Sequence, residues 1–140
     1  MANPNIVNVT VINGTTAYIT PSVTTAVATW TYADPSTSGT VSLAGLNPAS
    51  GTVNKINNIV ASNVTSSAVA VTVAVSNNSV FASGTPYYIA YQISVPANSS
   101  LIIVDKTTSF YVTQYQSVGV TVGTANAINF TASFEAITSP

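Results

Sequence analysis

The chain lacks cysteine, histidine and arginine altogether, and only five of its 140 residues carry a charge. The absence of cysteine excludes disulfides, thiolate catalysis and cysteine metal sites. The absence of histidine and arginine removes the usual general base, the commonest metal ligand and the bidentate clamp for anions. The composition therefore lacks most of the residue types from which active sites are built.

Charge is scarce in both signs. Lys55 and Lys106 stand against Asp34, Asp105 and Glu135, for a net charge of −1 and a charged fraction of 4%, whereas globular chains average about 25%. No basic patch is available to neutralise phosphates or anionic lipid, so we expect neither nucleic acid nor membrane among the partners. Two interpretations remain open: a β domain whose surface is hydrated by Ser, Thr and Asn, or a subunit of a larger assembly.

The three carboxylates form no catalytic or metal-binding pattern. A glycosidase needs a pair of carboxylates roughly 5–10 Å apart, but Asp34 precedes a proline in a predicted turn, and Glu135 lies on the polar face of a predicted strand. Asp105–Lys106 is interpreted as a solvated strand end, and no D-x-D-x-D run supports a calcium site there. Lys106 and Ser109 are not reliably brought together by extended backbone. We predict no catalytic residue, no cofactor, no metal and no enzymatic activity.

The start of the chain, MANPNIVNV, lacks the basic segment and apolar run of a secretory signal. No apolar run approaches the roughly 18 residues of a spanning helix, and we expect a protein that is not secreted. Residues 1–10 are a candidate N-terminal arm that pairs with a neighbouring subunit by strand addition. The simpler interpretation is an ordinary first strand with a frayed end.

Apolar residues alternate with small or polar residues along most of the chain. In SAVAVTVAVS, for example, Val69, Val71 and Val73 face one way and Ala70 and Thr72 the other. Such alternation of β-branched residues is typical of half-buried strands. The predicted strands are 6–12, 15–20, 23–32, 39–45, 53–61, 67–76, 87–95, 101–104, 109–113, 117–122 and 127–137.

Turn signals separate these strands, among them Asn13-Gly14, Asp34-Pro35, Asn47-Pro48, Asn77-Asn78 and Pro96-Ala97-Asn98. Strands that recur about every 8–12 residues, without helical periodicity, favour an all-β fold. We predict a single β domain over residues 1–140, a two-sheet antiparallel β-sandwich that is jelly-roll-like or immunoglobulin-like.

Aromatic side chains are the remaining candidates for a functional surface. Because most of them lie in predicted strands, core packing is the expected role of the set, although large aromatics also anchor protein interfaces. The candidate interface residues are Trp30, Tyr32, Tyr88 and Tyr115. Tyr88 is the strongest of them, because period two places Tyr87 and Tyr91 together on the opposite face.

A series of short motifs runs through the second half of the chain. I-S-V-P-A at 93–97 leads to Leu101 and to the Asp-Lys pair at 105–106, and Q-S-V-G-V (116–120) and F-E-A-I (134–137) follow. Together with the opening MANPNIVNVT, residues 87–137 resemble small structural proteins in the virions of tailed phages, particularly phages of marine bacteria and cyanobacteria. Residues 20–85 take no part in this resemblance.

The resemblance implies a capsid decoration (cement) protein at the virion surface, assembled in the host cytoplasm. The implied partners are the major capsid protein and further copies of this chain in a homotrimer. Two alternatives remain: a head-fibre, tail or neck component, and a receptor- or glycan-binding adhesion module. Because charge is so scarce, we expect contacts governed by apolar burial and therefore weakly dependent on salt.

Overall fold

The computed structural model describes residues 9–34 and 36–138, so most of the candidate arm at 1–10 lies outside the described residues. The described chain forms ten strands and two short 3₁₀ helices. The strands are β1 (Val11–Ile19), β2 (Thr29–Ala33), β3 (Thr40–Ala44), β4 (Thr52–Asn63), β5 (Val69–Ser76), β6 (Pro86–Val95), β7 (Ser100–Val104), β8 (Phe110–Val112), β9 (Ser117–Val122) and β10 (Ile128–Thr138). The 3₁₀ helices are Phe81–Ser83 and Lys106–Thr108.

The strands form two antiparallel sheets that pack together, which confirms the predicted two-sheet β-sandwich. The large sheet has seven strands in the order β3-β2-β1-β10-β4-β7, with β8 also paired to β4, and the small sheet has the order β6-β5-β9. The sequence left the topology open between a jelly roll and an immunoglobulin-like sandwich. The structure places seven strands in one sheet and three in the other.

The core lies between the two sheets, and β5 follows the predicted alternation only in part, because Thr72 and Ala74 of its other face are buried too. On β5, Val71 and Val73 are fully buried, and their partners across the ladder, Val122 and Val120 of β9, are buried as well. Directly paired residues project from the same face of a sheet, so these valines form one apolar layer. The facing layer comes from the large sheet and includes Ile56, Ile59, Ile128, Phe130 and Ala132.

Trp30 joins the two sheets, and its assignment as an interface residue is wrong. Its side chain on β2 is 0% exposed, and its indole N–H donates a hydrogen bond to the carbonyl oxygen of Val118 on β9 at 3.0 Å. A buried indole needs such an acceptor for its N–H. Trp30 is thus a core residue that ties the large sheet to the small one and cannot touch a partner.

The predicted turn at Asn13-Gly14 is also wrong, because β1 runs through both residues. Asn13 lies opposite Ala136 and Gly14 opposite Glu135, in a ladder that pairs all of β1 with β10. Nine residue pairs of this long-range ladder outweigh a local turn signal. The predicted strand 23–32 is shorter than expected: β2 begins at Thr29, and Val27 makes an isolated bridge to Val120.

Candidate interaction surface

Strand β6 is an open edge of the small sheet. The opposite edge of that sheet is closed, because Val120 of β9 exchanges backbone hydrogen bonds of 2.9 and 2.8 Å with Val27, and the Val118 N–H donates to the Gly45 carbonyl at 2.7 Å. Across residues 9–34 and 36–138, β6 pairs with β5 and with no other strand. Its second edge has no strand partner among these residues.

The side chains of β6 are unusually apolar for an exposed strand. Five large ones are 38–62% exposed, namely Tyr87, Tyr88, Ile89, Tyr91 and Ile93. Residues 86–95 contain no charged side chain, although charges on edge strands are a common protection against unwanted pairing. Clustered exposed apolar groups mark interaction sites, and we call these five side chains the β6 surface.

Two irregularities in the β5–β6 ladder arrange this surface. The register shifts between Val71 and Val73 and again between Val73 and Ala74. Between the paired residues of the first shift, Gln92 has a φ of +50°, and its N–H donates to the Thr72 hydroxyl at 3.0 Å. Bulges of this kind twist an edge strand and hinder its pairing with a further strand. Contacts made by β6 would therefore use its side chains more than its backbone.

The shifts also overturn the expected faces of the tyrosines. Period two placed Tyr88 opposite to Tyr87 and Tyr91, but the rings of Tyr88 and Tyr91 pack edge to face with their centroids 4.7 Å apart. Each extra residue in a strand moves the following side chains to the other face. The prediction of opposite faces is therefore wrong for Tyr88 and Tyr91. Tyr88 is 54% exposed, and its role at an interface stays a prediction.

The four candidate interface residues occupy different environments. Trp30 is in the core and Tyr32 is half-buried, whereas Tyr88 lies on β6 and Tyr115, which is 60% exposed, lies in the turn before β9. Core packing was the expected role of Tyr87 and Tyr91, and Ile89 and Ile93 were not singled out, because the alternation of this strand is the same as that of a core strand. The absence of charge from 86–95 does not separate them either, because the buried strands β5 and β9 carry no charge.

A cleft of about 620 Å³ opens elsewhere, along the large sheet. Its walls come from β1, β2, β3, β4 and β10 and from the loop at 47–49, and no charged residue lines it. Tyr32 lines one wall, and Phe134 and Ala136 of β10 contribute apolar surface. This cleft and the β6 surface are two separate features with different chemistry.

The aspartates serve local turns, as the sequence predicted. Asp105 accepts hydrogen bonds from the Thr107 hydroxyl at 2.6 Å and from the backbone N–H groups of Thr107 and Thr108 at 2.9 and 3.2 Å, which caps the 3₁₀ helix Lys106–Thr108. These bonds, the Thr107 hydroxyl first, hold the pKa of Asp105 below its ordinary value. The Ser36 hydroxyl and N–H likewise lower the pKa of Asp34.

Neither a metal cluster nor a membrane span is found in the described chain. No three His, Cys, Asp or Glu residues among those described come together, and no helix there is long and apolar enough to cross a membrane. Comparisons with protein-family models, with curated proteins and with solved structures found no match. The β6 surface and the cleft are the two features of the described residues that could bind a partner or a ligand.

Proposed function

We propose that this chain is a structural protein of a phage virion, a capsid decoration protein that packs against the major capsid protein and against further copies of itself. The observation that supports this role is the β6 surface, which combines exposed tyrosine and isoleucine side chains with a complete lack of charge. Burial of such side chains against a partner is favourable without any ion pair. The sequence resemblance supplies the virion setting.

The size of the β6 surface suits a contact that works in many copies. With large side chains of roughly 150–250 Å² each, the exposed parts of these five add up to on the order of 500 Å². A standard interface buries about 800 Å² per partner, so these side chains, which project from both faces of the edge strand, would form part of one contact. Many equivalent contacts around a shell then sum to a stable assembly through multivalency. The proposed homotrimer and the capsid-surface location follow the resemblance.

The test is binding of the purified chain to capsids that lack it, followed by sedimentation. We expect the double substitution Tyr88→Ser and Tyr91→Ser to weaken binding by about 10- to 100-fold, because exposed aromatics that become buried carry much of an interface's free energy. The wild-type affinity should change by less than about threefold between roughly 0.1 and 1 M NaCl, because no exposed ion pair needs to form.

The matched control is the double substitution Tyr18→Ser and Tyr111→Ser, which removes two tyrosines that are 42% and 44% exposed on other strands. It should leave capsid binding within about twofold of wild type, as expected for residues outside a contact. Release by added salt, or an equal loss in the control, would refute the β6 contact. Electron cryomicroscopy of the particle tests the location, and density at a tail or neck would favour that alternative.

The second candidate function is a receptor- or glycan-binding adhesion module. The uncharged cleft along the large sheet is the observation that favours it, because it combines apolar surface with a few hydrogen-bonding side chains in a concave site, as small-molecule sites do. The two functions use different parts of the molecule, so each can be tested without the other.

A further inference from the structure

The floor of the cleft is a trough built by cross-strand register. Ala136 of β10 lies directly between Asn13 of β1 and Asn54 of β4. Directly paired residues share a face of the sheet, so a small methyl side chain stands between two carboxamides. Phe134 and Thr138 precede and follow Ala136 on the same face by period two. The trough therefore has an apolar floor with an amide on either side.

Both asparagines lie in the interior of strands, where asparagine is uncommon. Asparagine and glycine are depleted from strand interiors, yet Asn13-Gly14 lies within β1 and Asn54 lies within β4. The Asn54 side chain is 3% exposed, and its Nδ2 donates to the Leu46 carbonyl at 2.8 Å. Because a carbonyl can only accept, this bond fixes which way the amide points. Residues that break a local preference are expected at functional sites.

The chemistry of the lining selects one class of ligand. Carboxamides and hydroxyls both donate and accept hydrogen bonds, and the tyrosine ring and the Phe134–Ala136 floor offer apolar contact. No lysine or carboxylate lines the cleft, so nothing there would neutralise a phosphate, a carboxylate or a cation. A wholly apolar ligand would cover the exposed Asn13 amide without supplying it a hydrogen-bond partner.

We infer that this cleft binds a neutral carbohydrate. A sugar ring presents hydroxyl groups that donate and accept at its rim and C–H groups on its faces, which matches amides on both sides of an apolar floor. The volume of about 620 Å³ falls within the range of roughly 300–1,000 Å³ typical of small-molecule sites. Tyr32, half-buried on β2, provides the ring against which such a face packs. This inference rests on the second candidate function, the glycan-binding module, and does not depend on the chain belonging to a virion.

The experiment is a ¹⁵N NMR titration of the full chain with maltotriose, cellotriose, mannotriose and triacetylchitotriose. We expect at least one of these neutral probes to bind with a Kd in the millimolar range or tighter and to shift the resonances of Asn13, Asn54 and Tyr32. Two charged probes, 3′-sialyllactose and glucose 6-phosphate, should bind at least about tenfold more weakly, because the cleft holds no counter-charge.

Two substitutions locate the site. Ala136→Leu fills the trough and should weaken binding of the responding probe by at least about tenfold, because the added side chain takes the ligand's place. Asn13→Ala removes one neutral hydrogen-bonding group and should weaken binding by roughly 2- to 10-fold. Asn13 is exposed, so this second substitution keeps the test valid if Ala136→Leu proves unstable in a thermal unfolding experiment.

The matched control is Ala33→Leu, the same enlargement at an exposed position of β2 that does not line the cleft. It should bind the probe as wild type does. The inference is overturned if no neutral probe shifts the lining residues, if the charged probes bind equally well, or if Ala33→Leu weakens binding as much as Ala136→Leu. Shifts confined to the β6 tyrosines would overturn it too. Capsid sedimentation is unaffected by any of these outcomes.

Discussion

Gly45 holds the turn after β3 in a conformation and a space that only glycine fits. Its φ is +64°, and a Cβ built on it would stand 3.1 Å from the Ser117 Cα and in contact with the Ser117 side chain. The same residue accepts the Val118 N–H that closes the β9 edge. One residue without a side chain thus allows the large sheet and the small sheet to approach each other.

Gly45→Ala should therefore lower the free energy of unfolding by about 2–4 kcal/mol, since a left-handed conformation and overpacking each cost roughly 1–3 kcal/mol. The measurement is urea denaturation followed by circular dichroism. Gly14→Ala is the control, because nothing lies within 4 Å of a Cβ at Gly14. It should change the free energy of unfolding by less than about 1 kcal/mol, or raise it. Equal losses in the two variants would contradict this explanation.

At the scale of the element, β6 is less regular than the half-buried strand that its sequence predicts. YYIAYQISV has the alternation of a half-buried strand, but the register shifts place Gln92 in the left-handed region and bring Tyr88 beside Tyr91. An irregular edge strand is held in place by its single neighbour, β5. A residue that favours strands in general will therefore not suit every position of β6.

Gln92→Val tests this irregularity. Valine is a strong strand former, yet we expect a loss of about 1–3 kcal/mol in the free energy of unfolding, because a β-branched residue is strained at positive φ. Ser94→Val, at an exposed and regularly paired position of the same strand, should stay within about 0.5 kcal/mol of wild type. Chemical denaturation of both variants provides the comparison, and a stabilising Gln92→Val would show that the strand is regular in solution.

At the scale of the whole molecule, the sandwich is joined by a bond between sheets as well as by apolar packing. Trp30 is the single tryptophan of the chain and reaches from the large sheet to the Val118 carbonyl of the small one. Its indole fills a position that is 0% exposed. Loss of this side chain would weaken packing and leave a buried carbonyl without its donor.

Trp30→Phe should lower the free energy of unfolding by about 2–4 kcal/mol, the combined cost of a smaller side chain and a buried unpaired acceptor. Tyr115→Phe, at a 60% exposed aromatic, should change it by less than about 0.5 kcal/mol. Urea titrations read by far-ultraviolet circular dichroism suit both variants, because that signal does not require the tryptophan. If the two variants unfolded at similar urea concentrations, Trp30 would not be needed to hold the two sheets together.

The amino-acid sequence by itself determined the class of fold and the chemistry that the chain lacks. Period-two alternation is a local property of each strand, so β5, β9 and β10 could be predicted from their own residues. The scarcity of charge and the missing histidine, cysteine and arginine are properties of composition alone. The turn role of Asp105 was also predictable, since a cap involves only neighbouring residues.

Only the tertiary structure decided which residues are exposed. An edge strand and a central strand share one alternation, so Tyr91 and the buried Val73 look alike in sequence, and exposure depends on whether a distant strand covers them. Asn13-Gly14 likewise signals a turn locally but is held in β1 by pairing with β10, far along the chain. The β6 surface and the amide-walled trough both arise from such long-range pairing, which no short stretch of sequence contains.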